Sequence, residues 1–261
     1  MGTNFLNMKI KLENVSKSFK NRSDKGMLEV LSDLTFEVQP SEIFSVVGPS
    51  GCGKSTIINL IAGFIFPDKG KIAVNGNIVT GPNASRTVVF QDHAVFPWMT
   101  VRKNVEFGLK CKNVSETERA QMVSDLLKKV RLEKFANRYP DELSGGMKQR
   151  VALARAFAVK PEIILMDEPF ASLDQQTRDI LQEEFLKLQD EISQTVLLIT
   201  HNIDEALFLS DRVAVLSNRP ARVKEMFVVP FTKPRSPDIR NQPQFIEMRH
   251  KIWHSLRQEI T

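Results

Sequence analysis

Cysteine is scarce: Cys52 and Cys111 are the only two in 261 residues. Two thiols make no disulfide framework, which excludes the small stapled domains of secreted proteins and fits a reducing compartment, with the cytoplasm as the default. Long apolar runs are missing too. The longest, IINLIAGFIF from Ile57 to Phe66, falls far short of the roughly 20 residues that cross a bilayer, and is expected as a buried helix. The opening stretch MGTNFLNMKIKLENVSKS has no uninterrupted apolar core and does not read as a signal peptide. Leu6 stands where myristoylation wants Ser or Thr. No internal repeat or low-complexity segment occurs. Positive charge is present but not concentrated: the chain carries +5, and from Arg212 onward ten Lys/Arg face four Asp/Glu. That excess is scattered, without the basic stripe and interleaved aromatics of a nucleic-acid binder. A solvated surface is expected there, with no nucleic-acid partner.

What remains is ordinary globular composition, 42% apolar and 26% charged, in a length that suits one large domain or a domain with an inserted lobe. The first stretch alternates partly, as strands do: KIKLENVSKSF, MLEVLSDLTFEV and EIFSVVG, with the polar KNRSDKG as a loop. A helix is expected through STIINLIAGFIF, stopped by PDKG, followed by short strands in KIAVNG and RTVVFQ. From about Asp92 to Val159 the pattern turns helical. SETE (Ser115 to Glu118) reads as a capping box, and Val123, Leu126, Leu127 and Val130 mark one helix face. The runs EIILMDE, TVLLITH and RVAVLS then read as strands covered on both faces, with a helix between the first two and a closing amphipathic helix in FIEMRHKIWHSLRQEI. The expected fold is α/β with a mixed sheet, an amino-terminal antiparallel part and an inserted helical lobe. Its core spans residues 1–91 and 159–230, its insertion 92–158, and its tail and helix 231–261.

GPSGCGKST, Gly48 to Thr56, fits G-x-x-x-x-G-K-[ST] between a strand and a helix. Glycines there let backbone N–H groups turn inward around phosphate oxygens, and the helix start adds a favourable field. The cradle comprises Gly48, Pro49, Ser50, Gly51, Cys52, Gly53, Lys54, Ser55 and Thr56. Lys54 is expected to reach the β- and γ-phosphates and Ser55 to ligate Mg²⁺. Since Cys52 lies within it, thiol alkylation is expected to inactivate and nucleotide to protect. IILMDEP ends a buried strand on two carboxylates, costly unless a cation or a reaction uses them. Asp167 is placed to hold Mg²⁺ and Glu168 to polarise an attacking water. A second turn of the same kind opens an Ala-rich helix in DELSGGMKQRVALARA.

Together these motifs resemble the ATPase subunits of ABC transporters over nearly the whole chain. GPSGCGKST resembles the family's Walker A motif, IILMDEP its Walker B, LSGGMKQR (Leu143 to Arg150) its signature and ASLD (Ala171 to Asp174) its D-loop. The resemblance implies ATP as substrate with Mg²⁺, Gln91 as the Q-loop glutamine at the metal and water, and His201 as a switch histidine at the γ-phosphate. It also implies Phe19 under the adenine, and Ser144, Gly145, Gly146 and Asp174 reaching a nucleotide held by a partner subunit. Met147 replaces the commoner Gln, but the backbone N–H groups and the Ser144 hydroxyl do the binding.

The two cradles then have one explanation: two subunits, identical or paralogous, pack head to tail with each ATP shared between them. Transport would use separate membrane permease subunits, fed by a periplasmic or surface solute-binding protein, with this subunit peripheral on the cytoplasmic face of the inner membrane. Phe96, Pro97 and Trp98 could pack on a partner helix or inside the lobe. DEPFASLD with Phe170, FPWMTVRKNV and LSNRPARV resemble bacterial importers of the nitrate, sulfonate and taurine branch, which includes bicarbonate. The competing class is an ABC-type ATPase with a mechanical, non-transport role. Its translation-factor members carry two cassettes, and its DNA-repair members long coiled coils, neither of which is present. No N-K-x-D motif supports a GTPase.

Overall fold

The computed structural model describes residues 9–20, 26–92 and 94–259; the expected 21–25 part of the KNRSDKG loop lies outside them. Two sheets form the framework. An antiparallel sheet has the order β2-β1-β4-β5, from β1 (Ile10–Lys20), β2 (Met27–Val38), β4 (Lys69–Val74) and β5 (Asn77–Ile78). The second has the order β10-β9-β3-β8-β7-β6, from β3 (Ile43–Val47), β6 (Arg86–Val89), β7 (Ile163–Asp167), β8 (Thr195–Ile199), β9 (Arg212–Leu216) and β10 (Val223–Val228). Its strands run parallel except the edge strand β10. Phe36 of the first sheet stacks on Phe44 of the second, 5.3 Å between centroids, and closes the space between them.

The central strands β3, β7 and β8 are buried on both faces because each alternate residue meets a different layer. Ile163 and Leu165 pack with α1 (Lys54–Ala62) and the antiparallel sheet. Ile164 and Met166 pack with α2 (Val101–Cys111), α3 (Glu116–Lys129), α4 (Gly145–Ala158) and α5 (Gln175–Ile192). α6 (Ile203–Leu209) and α7 (Pro243–Arg257) cover Val47, Val213 and Val215. Arg235, nearly fully buried, pins the segment before α7 by donating to the carbonyls of Phe231, Phe208 and Ser210.

The helix expected to reach Phe66 ends four residues earlier. Gly63 takes the left-handed conformation at φ 82° and its N–H returns to Asn59 and Leu60. A Cβ there would meet the Gly81 carbonyl oxygen at 2.3 Å, so only glycine fits. Phe64 and Phe66 therefore leave the core, half exposed, and Phe64 stacks on Phe90. In the helical lobe Ser115 accepts the Glu118 N–H, and Val123, Leu126, Leu127 and Val130 are buried. Fully buried Asn104 accepts the Phe96 N–H and donates to the carbonyls of Phe96, Met99 and Thr100, holding the loop before α2 in shape.

Candidate functional site

Parallel strands deliver their carboxyl ends to one edge, where open α/β sheets bind ligands. Register fixes what meets there. β7 pairs with β8 up to Asp167 opposite Ile199, and β3 pairs with β8 through Val46 opposite Ile199. The chain after β3 is the Gly48 loop, after β7 Glu168, and after β8 Thr200 and His201.

The loop owes its shape to two left-handed glycines, Gly51 at φ 76° and Gly53 at φ 113°. Gly53 has a second constraint: a Cβ would come within 2.6 Å of Val30 on β2. Lys54 is buried and its ammonium donates to the Gly48 and Pro49 carbonyls, each at 2.9 Å. The cation is thus held inside the loop and oriented before any anion arrives. Cys52 corrects an expectation. Its side chain is fully buried beneath the loop, against Leu216 and near enough to Gly48 that a Cβ there would lie 2.9 Å from Sγ. Burial pushes the thiol's pKa up against the pull of Lys54 and Arg219. The Cys52 N–H donates to the Pro49 carbonyl at 3.3 Å, and its buried sulfur is shielded from alkylation.

Ser55 stands beside the Asp167 carboxyl. Burial raises the Asp167 pKa, and the neighbouring Glu168 charge adds to this, while Ser55 and Lys54 oppose it. A desolvated carboxylate beside a hydroxyl at a phosphate cradle fits a hard cation that keeps water and phosphate oxygens as further ligands, the habit of Mg²⁺. Gln91, expected as a third ligand, stands exposed beyond the end of β6 and makes no hydrogen bond with these two among the described residues.

Glu168 leaves β7 in the left-handed region at φ 46°, while its N–H still bonds the Ile199 carbonyl at 2.9 Å. For a side chain with a Cβ this conformation costs about 1–2 kcal/mol. The turn points its carboxylate at His201: Oε2 lies 2.8 Å from Nδ1. A carboxylate held by an imidazole at the mouth of a phosphate site can orient a water and take its proton.

Phe19, near the end of β1, is partly exposed and pairs with Leu28, two residues from the Val30 that walls Gly53. This sets an aromatic face on the hairpin that flanks the loop. Lys17 Nζ lies 5.6 Å from its ring.

The second cradle is elsewhere. Ser144 caps α4, its hydroxyl accepting the Met147 N–H. Asp174 caps α5 by accepting the Thr177 N–H, which lowers its pKa. α4 packs on the face of the sheet opposite to α1.

Sequence reasoning missed Glu205. Asn202 followed by Glu205 has capping-box spacing, which predicts an exposed glutamate. Asn202 does cap α6 through the Glu205 N–H. Yet the Glu205 side chain turns inward, 3% exposed, to accept a hydrogen bond from Gln182. Only the packing of α6 on α5 decides that direction.

A family model described as "ABC transporter" matches residues 31–171. An uncharacterized ABC transporter ATP-binding protein of Methanocaldococcus jannaschii is 46% identical over 98% of this chain and 94% of its own. The taurine import ATP-binding protein TauB of Jannaschia sp. is 42% identical over 92% of this chain and 91% of its own. Among solved structures, a dimeric post-hydrolysis state of an ATP-binding cassette bound to ADP and Pi superposes with a TM-score of 0.74. It is 31% identical and covers 85% of this chain and 100% of that one.

Proposed function

The chain belongs to the ABC transporter ATP-binding family and is an ATPase cassette; on that premise we propose that it works in a head-to-tail pair, with a second copy or a paralogue, and powers an importer. The observation that carries this is the separation of the two cradles. The Gly48–Thr56 loop opens a helix on one face of the sheet, and the Ser144–Gly146 turn opens a helix on the other. One chain does not close its two half-sites on a single triphosphate, so in the pair each half-site is completed by the complementary half-site of the same partner. The dimeric, ADP- and Pi-bound relative supports this.

In that pair Lys54 neutralises the β- and γ-phosphates, the loop N–H groups hold their oxygens, and Phe19 lies under the adenine. Ser55, Asp167 and Gln91 would hold Mg²⁺, which when bound neutralises charge on the phosphates. Glu168 takes the proton of the attacking water, and His201 fixes the carboxylate's direction while reaching toward the γ-phosphate. Ser144, Gly145, Gly146 and Asp174 face the partner's nucleotide. Loss of the γ-phosphate removes the bridge and the halves part.

Permease subunits would be separate chains, since no helix among the described residues is long and apolar enough to cross a membrane. Their docking surface is the loop before α2. Trp98 is 70% exposed, while Phe96 is half-buried against Phe107, Trp98 and the Arg155 guanidinium. The aromatic cluster thus splits the two expectations: Phe96 packs into the lobe and Trp98 faces outward. The subunit sits on the cytoplasmic face of the membrane, and a solute-binding protein delivers cargo. Cargo is a small anion or organic solute such as nitrate, sulfonate, taurine or bicarbonate, in keeping with the taurine-import relative.

Glu168→Gln tests the site. The variant should bind ATP with native affinity, lose turnover and form a nucleotide-dependent dimer by analytical ultracentrifugation. Hydrolysis at the native rate would remove Glu168 as the base, and a strictly monomeric ATP-loaded variant would remove the shared site.

A further inference from the structure

α4 and α5 start at the two turns that the proposed partner meets, Ser144–Gly146 and Asp174. The helices touch at those starts. A Cβ on Gly146 would lie 2.5 Å from Thr177 Cγ2, with the next atoms, Thr177 Cβ and Leu181 Cδ1, at 3.9 and 4.0 Å. One methyl group therefore accounts for the whole clash. A Cβ on Gly145, one residue earlier, would meet nothing within 4 Å. The two glycines of the turn thus stand under different constraints, and only Gly146 is needed for packing inside the chain.

Thr177 has little freedom to yield. The clashing Cγ2 is bonded directly to Cβ and is not the far end of a flexible side chain, and the Thr177 N–H is held by Asp174 Oδ1 at 3.0 Å. Further along the same seam Arg150 Nη2 lies 3.3 Å from Glu184 Oε2. Arg150 is one helical step (i,i+4) from Gly146, and Glu184 is two (i,i+7) from Thr177, so each pair shares a helix face. Glu184 is buried, and Arg131 approaches its other oxygen at 3.2 Å. The seam is therefore closed at its amino end by a methyl–glycine contact and farther in by a buried ion cluster.

We propose that Thr177 is a positioning residue: its methyl group, seated on Gly146, sets where the Ser144–Gly146 turn stands relative to the Asp174 cap. The two partner-facing turns then move as one piece. The missing side chain at 146 makes room for this methyl group, whatever the Gly146 N–H offers a phosphate. The inference rests on the shared-site reading above.

The test uses the Glu168→Gln full chain as parent, with two readouts. Fluorescent-ATP binding at low protein concentration reports the Lys54 half-site and the folded state; ATP-driven dimerisation by ultracentrifugation reports the partner-facing turns. Gly146→Ala should leave monomer binding within about twofold and weaken dimerisation about tenfold or more. Adding Thr177→Ser, which trims the methyl and keeps the capped N–H, should bring dimerisation back to within about threefold of the parent. Adding Thr177→Val, which keeps a methyl in place, should not. Undiminished dimerisation in Gly146→Ala, or equal defects with Ser and Val, would overturn the proposal. So would loss of monomer binding that persists in the Ser double variant, since that reports misfolding. A parent that never dimerises would defeat the shared-site reading itself, a separate outcome visible before any second substitution is made.

Discussion

Glu205 is a carboxyl group in the wrong surroundings for a charge, and the consequence can be worked out. Burial between α6 and α5 pushes its pKa from the ordinary 4.5 up to about 7. The Thr200 hydroxyl, the Arg178 charge and the Gln182 amide pull it down without cancelling the burial, and the Glu168 charge pushes it up further. Below pH 4.5 the folded and unfolded chains both keep the proton, and the site costs nothing. Between pH 4.5 and 7 the unfolded chain releases it while the folded chain holds it. Stability therefore falls as pH rises, and the loss is complete above pH 7. The two pKa values correspond to a loss of about 3 kcal/mol. Glu205→Gln keeps an acceptor for Gln182 and cannot ionise, so it should regain that amount at pH 8 and under about 1 kcal/mol at pH 5. In thermal unfolding this means a gain of about 6–12 °C at pH 8, and about 2–3 °C at pH 5. Calorimetry of both proteins across this range is the assay. The same advantage at both pH values would refute the reasoning, and so would no advantage at pH 8.

Three further outcomes are expected. Lys54→Ala should weaken ATP binding between about tenfold and 100-fold, as loss of charge-assisted hydrogen bonds implies, and undiminished affinity by equilibrium titration would remove Lys54 from the site. Maleimide should label only Cys111 in the native chain, because Cys111 is exposed and Cys52 buried; mass spectrometry before and after urea checks this, and native labelling of Cys52 at the Cys111 rate would contradict the burial. Trp98→Ala should leave basal ATPase activity unchanged while lowering co-purification with a co-expressed permease several-fold, and unchanged co-purification would take Trp98 out of the docking surface.

Much of the site could be read locally because its chemistry is local. A phosphate loop is a run of glycines between a strand and a helix, and all of it lies within Gly48–Thr56. The continuous apolar runs that bury β7 and β8 on both faces are equally visible in IILMDEP and TVLLITH, and so are the acids that end β7. Where the reading failed, a distant residue had decided the matter. The helix at Ile57 ends on a left-handed Gly63, a position where the Gly81 carbonyl leaves no room for a Cβ. Cys52 is fully buried in a cluster that includes Leu216, far along the chain.

The sequence by itself determined which elements form, which edge of the sheet carries phosphate-binding residues, and which family the chain resembles. Each of these follows from neighbours a few residues apart. Only the tertiary structure decided that Glu168 meets His201, that Glu205 is buried, and that Gly146 lies under Thr177. Those pairs are 33, 23 and 31 positions apart in the chain, with Glu205 measured to its partner Gln182. Contacts at such separations depend on how strands register and helices dock, and packing energies shared across the whole core settle that.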